Sequence, residues 1–432
     1  MHILYNLLVS MLLLVSIPVL LFRLFRETGF GRRLKQSFGF LPEEDLTPVA
    51  GKQCIWLHAA SVGEIVAASP IVKEIRRQFP ARPILVSVVT ASGYAMAKRI
   101  VPADSIVFFP LDLPWLSRRV VKAILPAAFL LVETELWPNF LYSVRQQNIP
   151  VLMVNGRISD RSVGRYRYLG GLLQQMLDTV DRFCMQSTID AQYIIRLGAD
   201  PRKVFVTGNT KFDQTYTEAL PEEKLALEQE LGLDTVGPVV VAGSTHKGEE
   251  ELLLKAFYQV KKEFPHAGII LAPRDIMRAG EVVQMAREMG FSADKRTVLT
   301  KDRVVDVVVL DTIGELGKVY SLGEIVYVGG SLVSHGGHNI LEPAAHGKPI
   351  LVGPHMFNFK DSYALFSGRK ACVTVYDGGE LAQRMLELLK DSALRETMAA
   401  ETLKIIGENR GAASKSVEHL QEIMEAKEGK NS

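Results

Sequence analysis

The chain reads as an α/β protein of two nucleotide-binding-type domains facing a shared cleft, preceded by an apolar anchor helix. Short apolar runs recur between helical stretches from residue 54 onward. They are continuously apolar rather than alternating, which marks strands covered on both faces of a parallel sheet. Two of these runs break through small residues into a helix. Cys54-Ile55-Trp56-Leu57-His58 leads into Ala59-Ala60-Ser61-Val62-Gly63-Glu64, and Ile325-Val326-Tyr327-Val328 leads into a glycine-rich stretch from Gly329 to Pro343. Such turns point backbone N–H groups and a positive helix end at an anion. The third feature is the almost unbroken apolar segment from Ile3 to Phe22.

Length and composition narrow the class. A chain of 432 residues exceeds one ordinary core and suggests domains of roughly 150 to 200 residues each. Its 47% hydrophobic and 23% charged residues exclude a disordered chain. A net charge of +2 argues against a nucleic-acid partner. Cys54, Cys184 and Cys372 are far apart in apolar runs and form no CxxC pair, so buried thiols in a reducing compartment are expected.

The stretch Ile3 to Phe22 is interrupted only by Asn6, Ser10, Ser16 and Pro18, and about 20 such residues span a hydrocarbon core. A cleaved signal peptide would carry its positive charge before the apolar run and small residues at a cut site. Here Arg23, Arg26, Arg32, Arg33 and Lys35 follow it. A single anchor, spanning or lying deep in the interface, fits better, with the remainder of the chain on the cytoplasmic side.

Candidate strands of the first domain are 54–57, 84–89, 106–109, 129–132, 151–154, 183–185 and 204–206. Those of the second are 239–242, 268–272, 307–310, 325–328, 350–352 and 373–375. Between them Pro221-Glu222-Glu223-Lys224 starts a charged helix, and Gly232 and Gly237-Pro238 punctuate its exit. The expected organisation is an anchor over 1–22, domains over 23–213 and 214–410, and a closing helix and tail over 411–432. That helix is amphipathic and suits packing on either domain.

Several side chains at strand ends suit chemistry. Glu64 has two readings: Ser61-Val62-Gly63-Glu64 is a capping box in which Glu64 reaches back to the Ser61 N–H, or Glu64 is a general base beside a small residue that leaves room for substrate. Glu133 and Glu135 follow the run Phe129–Val132, where α/β sheets bind ligands, although acids also favour a helix start. Lys211 closes the first domain as a lysine that holds a phosphate or carboxylate, or as a solvated linker lysine. Gly243-Ser244-Thr245-His246-Lys247-Gly248 is a further anion nest without Walker spacing. Arg274, after Pro273, suits bidentate phosphate binding or a salt bridge. Ile313-Gly314-Glu315 is placed to close over a base or ribose, and Asn339 and Glu342 to meet ribose hydroxyls, with helix-dipole compensation as the alternative for Glu342. His58, His246, His335, His338, His346 and His355 are expected in loops. The spacing of His335 and His338 is not that of a zinc helix, so no metal is expected.

The motifs W-L-H-A-A-S-V-G-E, V-E-T-E-L-W-P-N, N-G-R-I-S-D-R-S, G-N-T-K-F-D, G-S-T-H-K-G-E-E, A-P-R and G-G-S-L-V-S-H-G-G-H-N-I-L-E-P-A-A-H-G-K-P-I-L-V-G-P-H follow one another in order. Together they resemble the 3-deoxy-D-manno-octulosonic acid (Kdo) transferases of lipopolysaccharide synthesis, over nearly the whole chain. The resemblance implies a GT-B glycosyltransferase fold of two Rossmann-like domains. It also implies inverting transfer from CMP-Kdo to the lipid A precursor lipid IVA, without metal or other cofactor, at the cytoplasmic face of the inner membrane. Carried over by motif, Glu64 is the general base. Lys211 and one of Glu133 and Glu135 stabilise the transition state. Pro273, Arg274, Ile313, Gly314, Glu315, Asn339, Ile340, Leu341 and Glu342 contact CMP. The arginines from Arg157 to Arg167 are expected to meet acceptor phosphates, and the Arg23–Lys35 patch to meet anionic lipid. Two other readings remain: a GT-B transferase or epimerase using another nucleotide sugar, and a non-catalytic membrane adaptor.

Overall fold

The computed structural model describes every residue except 1, 28, 159–163, 165, 167, 168, 215–220, 234–236, 301, 302 and 432. The chain divides into two compact units, Met1–Gln214 with Asn409–Ser432, and Thr215–Glu408. In the first, strands β1 (Ile55–His58), β2 (Ile84–Val88), β3 (Ser105–Phe108), β4 (Ala128–Val132), β5 (Val151–Gly156), β6 (Arg182–Met185) and β7 (Val204–Val206) form one sheet in the order β3-β2-β1-β4-β5-β6-β7. All its pairings are parallel. The second sheet holds β8 (Val239–Thr245), β9 (Gly268–Pro273), β10 (Ala293–Lys295), β11 (Val307–Val309), β12 (Ile325–Val328), β13 (Ile350–Val352) and β14 (Cys372–Thr374), in the order β10-β11-β9-β8-β12-β13-β14. It is parallel throughout. In both sheets the order reverses beside the first strand, between β1 and β4 and between β8 and β12. Open α/β sheets bind ligands at the carboxyl ends of such strands.

The unbroken apolar runs have a direct cause. Along β1 and β4, Trp56, Phe129 and Leu131 enter one core cluster, while Ile55, Leu57, Leu130 and Val132 enter the cluster on the opposite face. Helices cover both faces, so each position of a central strand is buried, and each large side chain contributes about 1.5–3 kcal/mol. The Trp56 ring meets Phe140 edge-on at 5.0 Å and Phe129 at 5.6 Å, and its indole N–H donates to Ser87 Oγ at 2.8 Å. Strand β10 was not expected from the sequence. It is a three-residue edge strand, Ala-Asp-Lys, with too little apolar content to stand out. All three thiols are buried, and burial pushes each up to about 12.

The closing helix, Ala412–Asn431, packs on the first unit. Val417, Leu420, Ile423 and Met424 join Ile65, Val72 and Ile75 of the helix Val62–Gln78 in one core. Its start is held by Asp213, whose carboxylate accepts from the Gly411 N–H at 2.5 Å and the Ala413 N–H at 2.6 Å. Asp213→Ala removes this cap and is expected to cost about 0.5–2 kcal/mol. The loss should be read as earlier hydrogen exchange across residues 412–431 and a lower Tm. Unchanged exchange in that helix would show that side-chain packing alone holds it.

Candidate active site

At the carboxyl edge of the first sheet, Glu64 stands in the first turn of the helix Val62–Gln78, capped by Ser61. The spacing had placed its carboxylate on the Ser61 N–H. Instead Oε2 accepts from the Ala60 N–H at 2.7 Å and Oε1 from the Ser61 hydroxyl at 2.8 Å. Ser61 is extended, with φ −123° and ψ 170°, and the box therefore closes one residue earlier. The side chain is only 9% exposed. Burial pushes its carboxyl up to about 7, the nearby charge of Glu135 and then of Glu133 adds to this, and the two hydrogen bonds oppose it. The capping box and a carboxylate poised near neutrality are one and the same group.

The strand next to β1 brings the other acids to this edge. Glu133, one residue beyond β4, has φ +57°, a left-handed conformation uncommon outside glycine. Burial raises its carboxyl, and the charges of Lys211 and then Arg157 pull it back. Glu135 is also raised by burial, and it accepts from the Trp137 indole N–H at 3.1 Å. The two acids differ in their surroundings: both act on Glu64, Glu135 the more strongly, but the cations Lys211 and Arg157 act on Glu133. Of the arginine group, Arg161, Arg165 and Arg167 lie outside the described residues.

His58 was expected in a loop. It is the last residue of β1 and fully buried, stacked on Phe109 at 3.8 Å between ring centroids. Its Nδ1 lies 3.1 Å from Ser87 Oγ and 3.2 Å from the Ser87 carbonyl. Burial pushes the imidazole down to about 3, so it is neutral, and its Nε2 has no hydrogen-bond partner 3.9 Å from Glu135 Oε2. Nothing in the apolar run Ile-Trp-Leu-His signals that this ring faces the acids, because the neighbour that decides it, Glu135, lies in the turn after β4.

The second sheet departs from expectation at its glycine-rich turn. The N–H groups expected to bind an external anion hold an internal one. Glu249, fully buried at the start of the helix Glu249–Glu263, accepts from the N–H groups of Gly330 at 2.7 Å and of Ser331 and Leu332 at 3.0 Å. It also accepts from the Tyr327 hydroxyl at 2.7 Å and from the His246 N–H at 2.9 Å, so the nest expected around residues 243–248 is occupied by the same side chain. A buried carboxylate needs such a set of donors, and a nest of consecutive N–H groups supplies it. The helix after this turn covers Leu341–Ala345.

Around that turn the residues offered for the nucleotide divide. Pro273 ends β9, and Arg274 beyond it is exposed. The positive charge of Arg274 lowers the proton affinity of Glu342, His338 and His246, which places these four side chains in one neighbourhood. Burial raises the Glu342 carboxyl, and Asn339 donates to it at 3.3 Å. Ile340 and Leu341 are buried, so they offer a ligand only their backbone. Ile313 is exposed and Gly314 has φ +96°, while Glu315 accepts from the Thr312 hydroxyl and lies 3.6 Å from Arg296. One contact here was missed: His246 Nε2 lies 2.8 Å from His338 Nε2, joining the turns after β8 and β12. Burial pushes His338 down to about 4 and also lowers His246, which favours an N–H···N hydrogen bond between the two rings. Among the described residues no group of three or more His, Cys, Asp and Glu is arranged to hold a metal ion.

Glu249→Gln presents the end of a neutral amide to five donors, and one end of that amide is itself a donor. The expected cost is about 1.5–3 kcal/mol, the scale of a hydrogen bond to a charged group. Thermal melting should show it as a lower Tm. A Tm equal to that of the parent protein would show that the nest does not depend on the charge.

The family described as 3-Deoxy-D-manno-octulosonic-acid transferase (kdotransferase) matches residues 32–214. A 3-deoxy-D-manno-octulosonic acid transferase of Haemophilus influenzae is 31% identical over 404 residues, which cover 93% of this chain and 93% of the relative. One of Bordetella pertussis is 30% identical over 379 residues, covering 85% of this chain and 87% of the relative. A UDP-GlcNAc 2-epimerase structure from Neisseria meningitidis superposes with a TM-score of 0.55 at 13% identity, over 82% of this chain and 98% of that one. At that identity the likeness concerns fold alone, and it agrees with the GT-B arrangement of two parallel α/β sheets. The extent and identity of the match to the named transferases settle the family: this chain belongs to the 3-deoxy-D-manno-octulosonic acid (Kdo) transferases, a family of glycosyltransferases.

Proposed function

We propose that the protein transfers Kdo from CMP-Kdo to a sugar hydroxyl of lipid IVA with inversion at the anomeric carbon, on the cytoplasmic face of the inner membrane. The observation that carries this reading is Glu64: a buried carboxylate with no basic side chain on it among the described residues, pushed up to about 7 beside Glu135. A carboxylate of that proton affinity takes a hydroxyl proton efficiently near neutral pH. In the reaction the acceptor oxygen bonds to the anomeric carbon as its proton passes to Glu64. The bond from that carbon to the CMP phosphate breaks, and the electron pair leaves with CMP. Arg274 is the exposed cation for that phosphate, a charge-assisted donor, and Glu342 accepts from the ribose hydroxyls. Neutralisation by fixed donors lowers the barrier without reorganisation. Glu135 acts on Glu64 through its charge, and Lys211 balances Glu133.

The pH dependence follows from the sign of the shift. Glu64 works only when ionised, so transfer should rise as pH increases through about 7. Glu135→Gln removes a negative neighbour, which eases ionisation of Glu64 and should move the rising limb to lower pH. Glu64→Gln keeps an oxygen for the Ala60 N–H and therefore the fold, yet should lower kcat by about 10²–10⁴. Mass spectrometry of lipid IVA incubated with CMP-Kdo measures all three. Turnover of Glu64→Gln within tenfold of the parent would sink the general-base assignment.

The nucleotide assignment makes a separate prediction. Arg274→Ala should weaken CMP far more than cytidine, whereas Glu342→Ala should weaken both. Each loss is expected at about 1.5–3 kcal/mol. Calorimetric titration gives the four comparisons, and equal losses of CMP and cytidine in Arg274→Ala would remove the phosphate from that side chain.

A further inference from the structure

The apolar helix His2–Arg26 is tied to the first unit at both of its ends. At its start the Tyr5 hydroxyl donates to Asp112 Oδ2 at 2.9 Å, and Asn6 Oδ1 accepts from the Asn139 amide at 2.8 Å. Both partners are buried. Asp112 also accepts from the N–H groups of Asn139 at 3.0 Å and Phe140 at 2.8 Å, where it caps the helix Pro138–Gln146. At its far end the chain turns into the helix Phe30–Ser37, with the Arg23 guanidinium 5.7 Å from the Phe30 ring centroid. That second helix is fixed in turn. Gln36 accepts from the Phe108 N–H at 2.7 Å, and the Ser37 carbonyl accepts from the Leu111 N–H at 2.8 Å. Both ends of the apolar helix therefore lead to one short segment of chain, Phe108 to Asp112.

A membrane-spanning helix does not allow this. Tyr5 and Arg23 are about 27 Å apart along the axis, at 1.5 Å per residue. Crossing a hydrocarbon core of about 30 Å would carry Tyr5 to the opposite side of the bilayer from Asp112. It would also leave the Asn6 amide near or within lipid without its partner, which is costly. The exposure pattern agrees with a helix lying on its side. Tyr5, Asn6, Val9, Leu13, Ser16 and Leu20 are half-buried, one stripe at helical spacing that continues the face bearing the two polar ties. Leu7, Leu8, Met11, Leu12, Leu14 and Val15 are each more than half exposed.

We infer that this helix does not cross the membrane but lies along its own domain, latched by Tyr5 on Asp112 and Asn6 on Asn139, and presents its apolar face side-on to an anionic lipid surface. An exposed apolar face of this length exceeds what a soluble monomer leaves open. Arg26, Arg33 and Lys35 follow it at the end where an anionic headgroup layer would attract them. The inference concerns how the protein meets lipid and is independent of the transferase reading.

The test uses the full chain with a protease-cleavable tag before Met1, bound to vesicles of phosphatidylcholine and phosphatidylglycerol. Protease added outside should remove the tag completely without detergent, on the side where the globular units stand. A tag protected until detergent is added would overturn the inference. In a second arm, the Asn6→Cys, Asn139→Cys protein should close an intramolecular disulfide under mild oxidation while vesicle-bound, since the three native thiols are buried. A vesicle-bound protein that forms no such link would overturn the latch. Disulfide-linked dimers would assign the apolar face to a second copy, and failure to float with the vesicles would remove lipid as its occupant.

Discussion

A parallel sheet covered by helices on both faces has no face left for chemistry. Every central position of β1, β4, β8 and β12 is committed to a core, so function is confined to the turns at the carboxyl ends of the strands. Those turns expose backbone N–H groups at the edge of a dry interior, and each such group must find an acceptor. In both units the chain supplies one from within. Glu64 meets the Ala60 N–H and the Ser61 hydroxyl, and Glu249 gathers the N–H groups of Gly330, Ser331 and Leu332. The two carboxylates solve the same local problem, yet they differ in consequence.

Glu249 has five donors and is fully enclosed, and it fixes the turn after β12 against the turn after β8. Glu64 has two donors and a second acid nearby. Burial and that neighbouring charge push its carboxyl up to about 7. The difference is one of hydrogen-bond count and neighbouring charge, since both side chains are buried. A carboxylate with few donors and a negative neighbour is suited to exchange a proton. His58 adds a further constraint behind Glu135. Its buried neutral ring sets an unpartnered nitrogen 3.9 Å from the carboxylate and supplies no compensating positive charge. Repulsion between Glu135 and Glu64 is left in place.

The same economy appears at Asp112. One buried carboxylate caps the helix Pro138–Gln146 through two N–H groups and also receives the Tyr5 hydroxyl. Because Asp112 is held by its capping role, the position of the apolar helix is tied to the core of the first unit. A hydropathy pattern reports only that this segment prefers lipid to water. Whether it crosses or lies flat depends on where its first turn finds hydrogen-bond partners, and those partners are more than 100 residues away.

Much was legible in the residues alone. The strands were readable because two-faced burial imposes continuous apolar runs, and the capping box because Ser61 and Glu64 are three apart on one helical turn. The motifs that follow one another in order over nearly the whole chain carried the family. Strand β10 escaped because its Ala-Asp-Lys sequence has no apolar run, and His58 was misplaced because one strand residue beside a turn looks like the turn. The sequence by itself determined the local cap, in which the Ser61 hydroxyl accepts from the Glu64 N–H, although the return bond goes to Ala60 and not to Ser61. Tertiary structure alone decided which carboxylate faces which charge: Glu135 and more weakly Glu133 on Glu64, Lys211 and Arg157 on Glu133, and Glu249 inside a nest some 80 residues away along the chain. Electrostatic environment depends on neighbours brought together across parallel strands by long crossover connections, and no local pattern encodes those distances.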